Sequence, residues 1–385
     1  MLRKGTFILM KTKIQDMTSG SPGRLIILFA IPLMLGNICQ QLYTMVDTMV
    51  VGQVAGVEAL AALGAVDFLM WVVTGISTGL TQGFSIQLSQ YYGAKDFENL
   101  RKSLAHSYRL TAFIAAGVLI LSQSFASLVL TGLHTPSNII GMSLLYLRII
   151  FCGIPATAAY NMFASALRAM GNSKTPLTAM IIASVLNVSL DILFVAGFGW
   201  GVAGAAIATV IAQSFSAVYC FLILRRIDIV HLTRADFMPA SGMNARLMKL
   251  GIPVVFQNII IGVGGLVVQY VINGYGFLFV AGFTATNKLY GLLEMAAISY
   301  GYAIVTYVGQ NLGAGKINRI RKGVRSSMLL SLLTSLIISA AMFLFGKNIL
   351  SLFISGEPQQ TQQVLAIAFK YLSICLLYTS DAADE

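Results

Sequence analysis

LFAIPLMLGNICQQLYTMVDTMVVG occupies residues 28–52, a long apolar run with a single carboxylate, Asp47, near its end. About 20 apolar residues suffice for a helix to cross a bilayer, so this stretch reads as a membrane-spanning helix. A strand of a membrane β-barrel would alternate apolar and polar positions over about ten residues. Here the apolar residues are continuous. An ionised Asp at the centre of such a helix costs about 2.5–3.5 kcal/mol on insertion scales, more without a partner. Asp47 therefore implies a function that needs it.

The rest of the chain has the same character. Of 385 residues, 57% are hydrophobic and only 10% charged, with a mean hydropathy of +0.80. Soluble domains carry closer to a quarter of charged residues, so the fold class is an all-α polytopic membrane protein. Ten apolar spans can be read: 25–51, 59–82, 104–130, 139–165, 176–199, 202–224, 247–272, 280–308, 325–346 and 361–378. The first 24 residues are polar and basic, so the first span serves as its own targeting signal. Ser21-Pro22 supplies a cap followed by proline at the first helical position. Pro32 lies within that helix, where a missing N–H and a crowded preceding turn predict a kink and a hinge. Cys39, Cys152, Cys220 and Cys375 are isolated in apolar runs and read as small hydrophobes.

The formal charge of +11 invites a nucleic-acid reading, but the placement of the charges excludes it. Of 25 Lys and Arg, 21 fall in the N-terminal segment and four later loops, ending with GKINRIRKGVR. The intervening loops VGQVAGVEA, GFGWGVAG and NGYGF carry none. Alternation of this kind is the positive-inside pattern, and it places the N-terminus and every second loop in the cytoplasm of a multi-pass inner-membrane protein. Contact with anionic headgroups is a by-product.

The chain also repeats itself. LFAIPLMLGNICQQL from Leu28 aligns with LGIPVVFQNIIIGVG from Leu250, with Pro32 opposite Pro253. QYYGAKDFENLRKS aligns with QNLGAGKINRIRKG, with Gly93 opposite Gly313 and Arg101 opposite Arg321. Six intervening spans give both copies the same orientation, as in transporters built from two parallel halves. The expected organisation is a cytoplasmic segment 1–24, an N-lobe of six helices over 25–224, a cytoplasmic loop 225–246, and a C-lobe over 247–378. That second lobe shows four spans where the first has six, and the acidic TSDAADE that follows reads as a non-native tail, 379–385, after a C-terminal truncation.

IPLMLGNICQQLYTMVDTMVVG, ALRAMGNSKTP, NVSLDILFVAGFGWGVAGAAIAT and GQNLGAGK together resemble the multidrug and toxic compound extrusion (MATE) family, in its bacterial multidrug branch. The resemblance covers residues 25 to about 375. It implies two pseudo-symmetric six-helix lobes, the second incomplete here, and a cation-coupled antiporter.

Several polar residues can carry that chemistry. Asn187 and Asp191 are four apart and share a helix face. Gly36, Gln40, Tyr43 and Asp47 form a polar stripe on the first span, Thr209 and Gln213 are one turn apart on the sixth, and Asn161 and Ser165 on the fourth. The resemblance assigns Asp47, Asn161, Asn187, Asp191 and Thr209 to cation coupling. Two carboxylates close together in a low dielectric do not both hold a charge readily. The pair makes a proton site or, with amide and hydroxyl oxygens beside it, a Na⁺ site at Asp47 and Asp191. Gln40, Tyr43, Gln257, Asn287 and Glu294 are candidates for the substrate cavity. Asp67 lies close to the start of the second span, where a helix N-terminus favours a carboxylate. The 17 methionines suit an adaptable cavity wall.

GFGWGVAG lacks the lysine of a phosphate-binding loop, and no metal-ligand spacing is present, so no cofactor and no enzyme is expected. The expected partners are small lipophilic or cationic substrates, H⁺ or Na⁺, and the bilayer, with no nucleic acid and a monomeric state. The alternative is a flippase of lipids or lipid-linked oligosaccharides; it would favour a cationic cavity, and the intramembrane charges here are mainly acidic.

Overall fold

The computed structural model describes residues 14–133, 135–273, 275, 277–353 and 358–381. The expected tail beyond residue 381, the first part of the N-terminal segment and His134 lie outside these residues. The described residues form helices joined by short connections. The helices are α1 (Pro22–Val54), α2 (Val57–Gly64), α3 (Asp67–Gly93), α4 (Phe97–Gly132), α5 (Ile140–Cys152) and α6 (Ile154–Ala169). There follow α7 (Lys174–Asp191), α8 (Gly201–Leu224), α9 (Met243–Asn273), α10 (Phe277–Gly313), α11 (Ile317–Phe353) and α12 (Pro358–Asp381).

Each of the ten expected spans is helical, and two of them are broken. The second consists of α2 and α3, bent by 40°, and the fourth of α5 and α6, bent by 46°. The second break follows from Gly153 and Pro155, since proline within the first turn of α6 cannot continue the α5 hydrogen-bond ladder. Counting each bent pair as one span, up to eight passes among the described residues are long and apolar enough to cross a membrane. The helices overrun the apolar runs at the basic loops: α4 begins at Phe97, and the carboxylate of Asp96 accepts the Asn99 amide at 3.1 Å to cap it. α1 has Ser21 and Pro22 at its start as expected and continues as an unbroken helix through the buried Pro32.

Following the internal repeat, α1 to α8 are described as the first lobe and α9 to α12 as the second. The first lobe has two apolar cores. One, at the end of the glycine-rich loops, contains Val51, Leu63, Tyr146, Phe151 and Val195. The second, at the end of the basic loops, contains Phe84, Leu100, Met162, Leu167 and Leu224. Lipid-facing surfaces carry large exposed apolar residues such as Phe113, Ile337 and Leu344.

The lobes meet along α3–α9 and α3–α10 on one side, and along α1–α10 and α1–α11 on the other. Lipid tails are as apolar as leucine, so helix association in a membrane relies on small residues that let backbones approach. Gly79 and Gly83 of α3 serve this role: a Cβ at Gly83 would collide with the backbone at Leu250 and Gly251. A further cluster joins Ile26 and Phe29 of α1 to Tyr300 and Tyr307 of α10, with Met17 buried among them.

Residues 15–20 form a strap across the basic-loop end. The Gln15 amide donates to the Gly171 carbonyl of the first lobe at 3.2 Å. The Met17 amide donates to Gln310 Oε1 at 3.0 Å, and its carbonyl accepts from Asn311 Nδ2 at 2.9 Å. Arg319 donates to the Gly20 carbonyl at 2.9 Å. Gln310 also donates to the Ala169 carbonyl at 2.8 Å. One side chain of α10 thus binds both the strap and α6.

Candidate functional site

The polar stripe of α1 faces the first lobe's interior at its lower end. Asp47 is buried, whereas Gln40 is exposed and Tyr43 half-buried. The Tyr43 hydroxyl accepts from Gln213 Nε2 of α8 at 3.3 Å, tying the two helices together.

Asn187 and Asp191 are both fully buried on α7. Asn187 donates its side-chain amide to Thr209 Oγ1 of α8 at 3.4 Å. At Asp191 the α-helix gives way to a π-helical turn, Ile192–Gly197. A π-turn widens the backbone by one residue per bond and is common at functional positions. The turn packs against α1 and α8, so Asp191 sits where three elements converge.

The decisive feature is a set of oxygens. Asp47 Oδ1, both carboxylate oxygens of Asp191, Asn187 Oδ1 and Gln213 Oε1 are buried and have no hydrogen-bond partner among the described residues. A buried acceptor left unsatisfied costs about 1–3 kcal/mol, more for a charged group. Five such atoms on three neighbouring helices, all acceptors, call for a positive group.

Asn161 does not join this cluster. It lies half-buried on α6, and its amide donates to Thr78 Oγ1 of α3 at 3.2 Å. Gln257 on α9 and Asn287 and Glu294 on α10 are exposed positions of the second lobe, apart from the buried acceptors. Asp67 is the first residue of α3, as expected for a carboxylate at a helix N-terminus. One neighbour of the site escaped the sequence reading: Tyr146 of α5, buried in the same core as Val51 and Val195, each four residues beyond Asp47 and Asp191. Gln213, read one turn from Thr209, anchors Tyr43 and contributes an unpartnered acceptor. Nothing in LLYLR separates a site tyrosine from a core one.

The MatE family model matches residues 32–193 and 253–380, one stretch in each lobe. The chain belongs to the MATE family. It is a multi-pass membrane transporter and not an enzyme. The probable multidrug resistance protein YpnP of Bacillus subtilis is 31% identical over 363 residues, covering 93% of this chain and 81% of that protein. The probable multidrug resistance protein NorM of Thermotoga maritima is 26% identical over 341 residues, covering 87% and 72%. Among solved structures, a MOP superfamily transporter of Pyrococcus furiosus superposes with a TM-score of 0.90 at 22% identity, covering 96% of this chain and 82% of that one. An outward-facing MATE transporter gives 0.88 at 22% identity, again covering 96% and 82%. The fold is shared with both, and its relatives are named as multidrug efflux proteins.

Proposed function

We propose that this transporter exports lipophilic, often cationic compounds in exchange for H⁺ or Na⁺, with Asp47 and Asp191 sharing the coupling cation. The observation that carries this reading is the group of buried, unpartnered acceptor oxygens on Asp47, Asn187, Asp191 and Gln213. Hydrogen-bonding glue between helices would pair donors with acceptors. Here only acceptors remain, and a proton or a hard cation with oxygen ligands satisfies them.

The basic loops orient the molecule with the strap and the packed lobe ends in the cytoplasm. The strap and the Gly83–Gly251 contact hold that end shut, and the exposed Gln40, Gln257, Asn287 and Glu294 form the substrate surface. Cation binding removes the need of the carboxylates for water, lets α1 bend at Pro32 and expels the substrate. Asn161, held by Thr78, supports the cation site indirectly by fixing α6 against α3.

Exchange of one monovalent cationic compound for one H⁺ moves no net charge, so the pH gradient alone drives it, at about 1.4 kcal/mol per unit. Each further cation draws on the potential, about 2.3 kcal/mol per 100 mV. Dye accumulation in everted vesicles, under separately imposed pH and Na⁺ gradients, tests the reading. Acceleration by either gradient supports it; flux indifferent to both would make this a passive pathway.

A further inference from the structure

The first lobe carries, between α4, α6, α8 and the loop that follows α8, two adjoining cavities that the transport site does not use. One, of about 290 Å³, lies at the basic-loop end and is lined by Arg225, His231, Val230 and Phe237. The other, of about 400 Å³, runs between α4, α6 and α8 and is lined by Ala112, Ala116, Leu119, Ala159 and Met162. Tyr108 and Phe221 belong to both. Tyr108 meets Phe163 edge-on at 5.3 Å, and Phe163 meets Phe221 at 5.2 Å, so an aromatic wall stands where the two cavities join.

We propose that this pair of cavities binds an anionic phospholipid of the cytoplasmic leaflet, phosphate in the first and an acyl chain in the second. Charge is the first argument. Arg225 and His231 line the outer cavity, Arg226 follows Arg225, and Arg109 approaches from α4, its guanidinium donating to the Phe237 carbonyl at 3.0 Å. Asp228 is the acidic residue of that turn, and the cations outnumber it. Basic pockets of this kind at the cytoplasmic ends of helices favour anionic headgroups.

Length is the second argument. From Tyr108 to Leu119 α4 rises about 16 Å, close to half of a hydrocarbon core about 30 Å thick. The inner cavity therefore spans one leaflet, from the aromatic wall at its interface to its mid-plane. A protein ligand would not need that depth. The third argument is Thr111, which lines the groove one turn above Tyr108. Its hydroxyl is buried without a partner among the described residues, at the depth where a lipid presents its ester carbonyls as acceptors. The leaflet named here rests on the orientation proposed above; the cavities do not.

The test is native mass spectrometry of the full chain, delipidated and then titrated with phosphatidylglycerol or phosphatidylcholine of equal chain length. We expect phosphatidylglycerol to be retained about fivefold more than phosphatidylcholine, the scale set by one basic residue at a membrane surface. Arg225→Gln with His231→Gln removes that preference while lipid is still held. Ala112→Trp, at an exposed position on the groove, lowers retention of both lipids by about the same factor. Equal retention of the two lipids by the unaltered protein would overturn the proposal. So would an undiminished preference in the charge variant, or unaltered retention in folded Ala112→Trp. Should the tryptophan variant fail to insert, the charge variant decides alone. Displacement of the lipid by glycerol 3-phosphate would mean that the phosphate alone is recognised and would also count against it. Transport assays play no part in this test, so it stands or falls apart from the coupling mechanism.

Discussion

Gly93 and Gly313 are packed reciprocally across the lobe interface: a Cβ on Gly93 would collide with the Gln310 carbonyl, and one on Gly313 with the Gln90 carbonyl. Both glycines sit in a Gln-x-x-Gly-Ala stretch, so each lobe offers the other the same surface. The internal repeat thus becomes a two-fold contact closing the basic-loop end.

Gly93→Ala or Gly313→Ala should disrupt that closure. Overpacking of a tight contact costs about 1–3 kcal/mol, and here the obstacle is backbone, which has no rotamer to change. Thermal unfolding in detergent should fall measurably for each variant, and dye efflux should fall with it. Gly117→Ala, at a helix position with open space around it, is the control and should be silent. Equal behaviour of all three would contradict the closed interface.

The strap gives a second expectation. Arg319 donates to the carbonyls of Met17 and Gly20 and to Asn311 Oδ1. Arg319→Ala should release residues 15–20, read as faster hydrogen exchange of the Met17 amide, by about tenfold for a loss near 1.4 kcal/mol. Unchanged exchange would mean that Gln310 and Asn311 hold the strap unaided.

Asp16 adds a pH dependence to the same segment. Partial burial raises its pKa, but the Thr18 amide, the Thr18 and Ser19 hydroxyls and the charge of Lys316 outweigh burial and leave it below 3.8. A lowered folded-state pKa stabilises the fold above the unfolded value and is lost as pH falls through the folded one. Exchange at Thr18, whose amide donates to Asp16 Oδ1 at 2.7 Å, should be constant from neutral pH to about 4 and accelerate below it, after correction for intrinsic rates. Asp16→Asn should remove the step.

Orientation is open to a labelling experiment in a background with the native cysteines replaced. Cysteines at Gln53 and Phe198, on the glycine-rich loops, should react with an impermeant reagent from outside the cell. Those at Ala235 and Asn318, on the basic loops, should not. The reverse pattern would invert the direction of transport.

The helices were legible because about 20 apolar residues in a row admit few other readings, and the repeat was legible because glycine and proline positions recur with their neighbours. Helix ends were not, since the first turns of α4 and α11 carry charged residues such as Glu98 and Arg319 outside the hydrocarbon, where hydropathy has no signal. The breaks at Ala65 and Gly153 were also missed: each lies inside a long apolar run, and Asp67 beside the first was read as a span-end carboxylate and not as the start of a second helix. In the site, Asp47 and Asp191 declared themselves by their insertion cost. Asn187 and Thr209 were assigned to the site by the family resemblance, and the structure pairs them. Asn161 was assigned by the same resemblance, yet its amide is taken by Thr78 on a helix distant in sequence. Tyr146 carries no cost in an apolar run and so left no mark.

The shared cation site is tested most directly by gradient-driven dye accumulation in everted vesicles carrying Asp191→Asn, where the export direction runs inward. The substitution fixes a neutral side chain of nearly the same shape, so membrane insertion should persist while accumulation coupled to H⁺ or Na⁺ is abolished. Asp47→Asn should match it, and the double variant should be scarcely worse than either, because residues acting as one unit are not additive. Accumulation at the unaltered rate with Asp191→Asn under either gradient would contradict the account and move attention to Glu294.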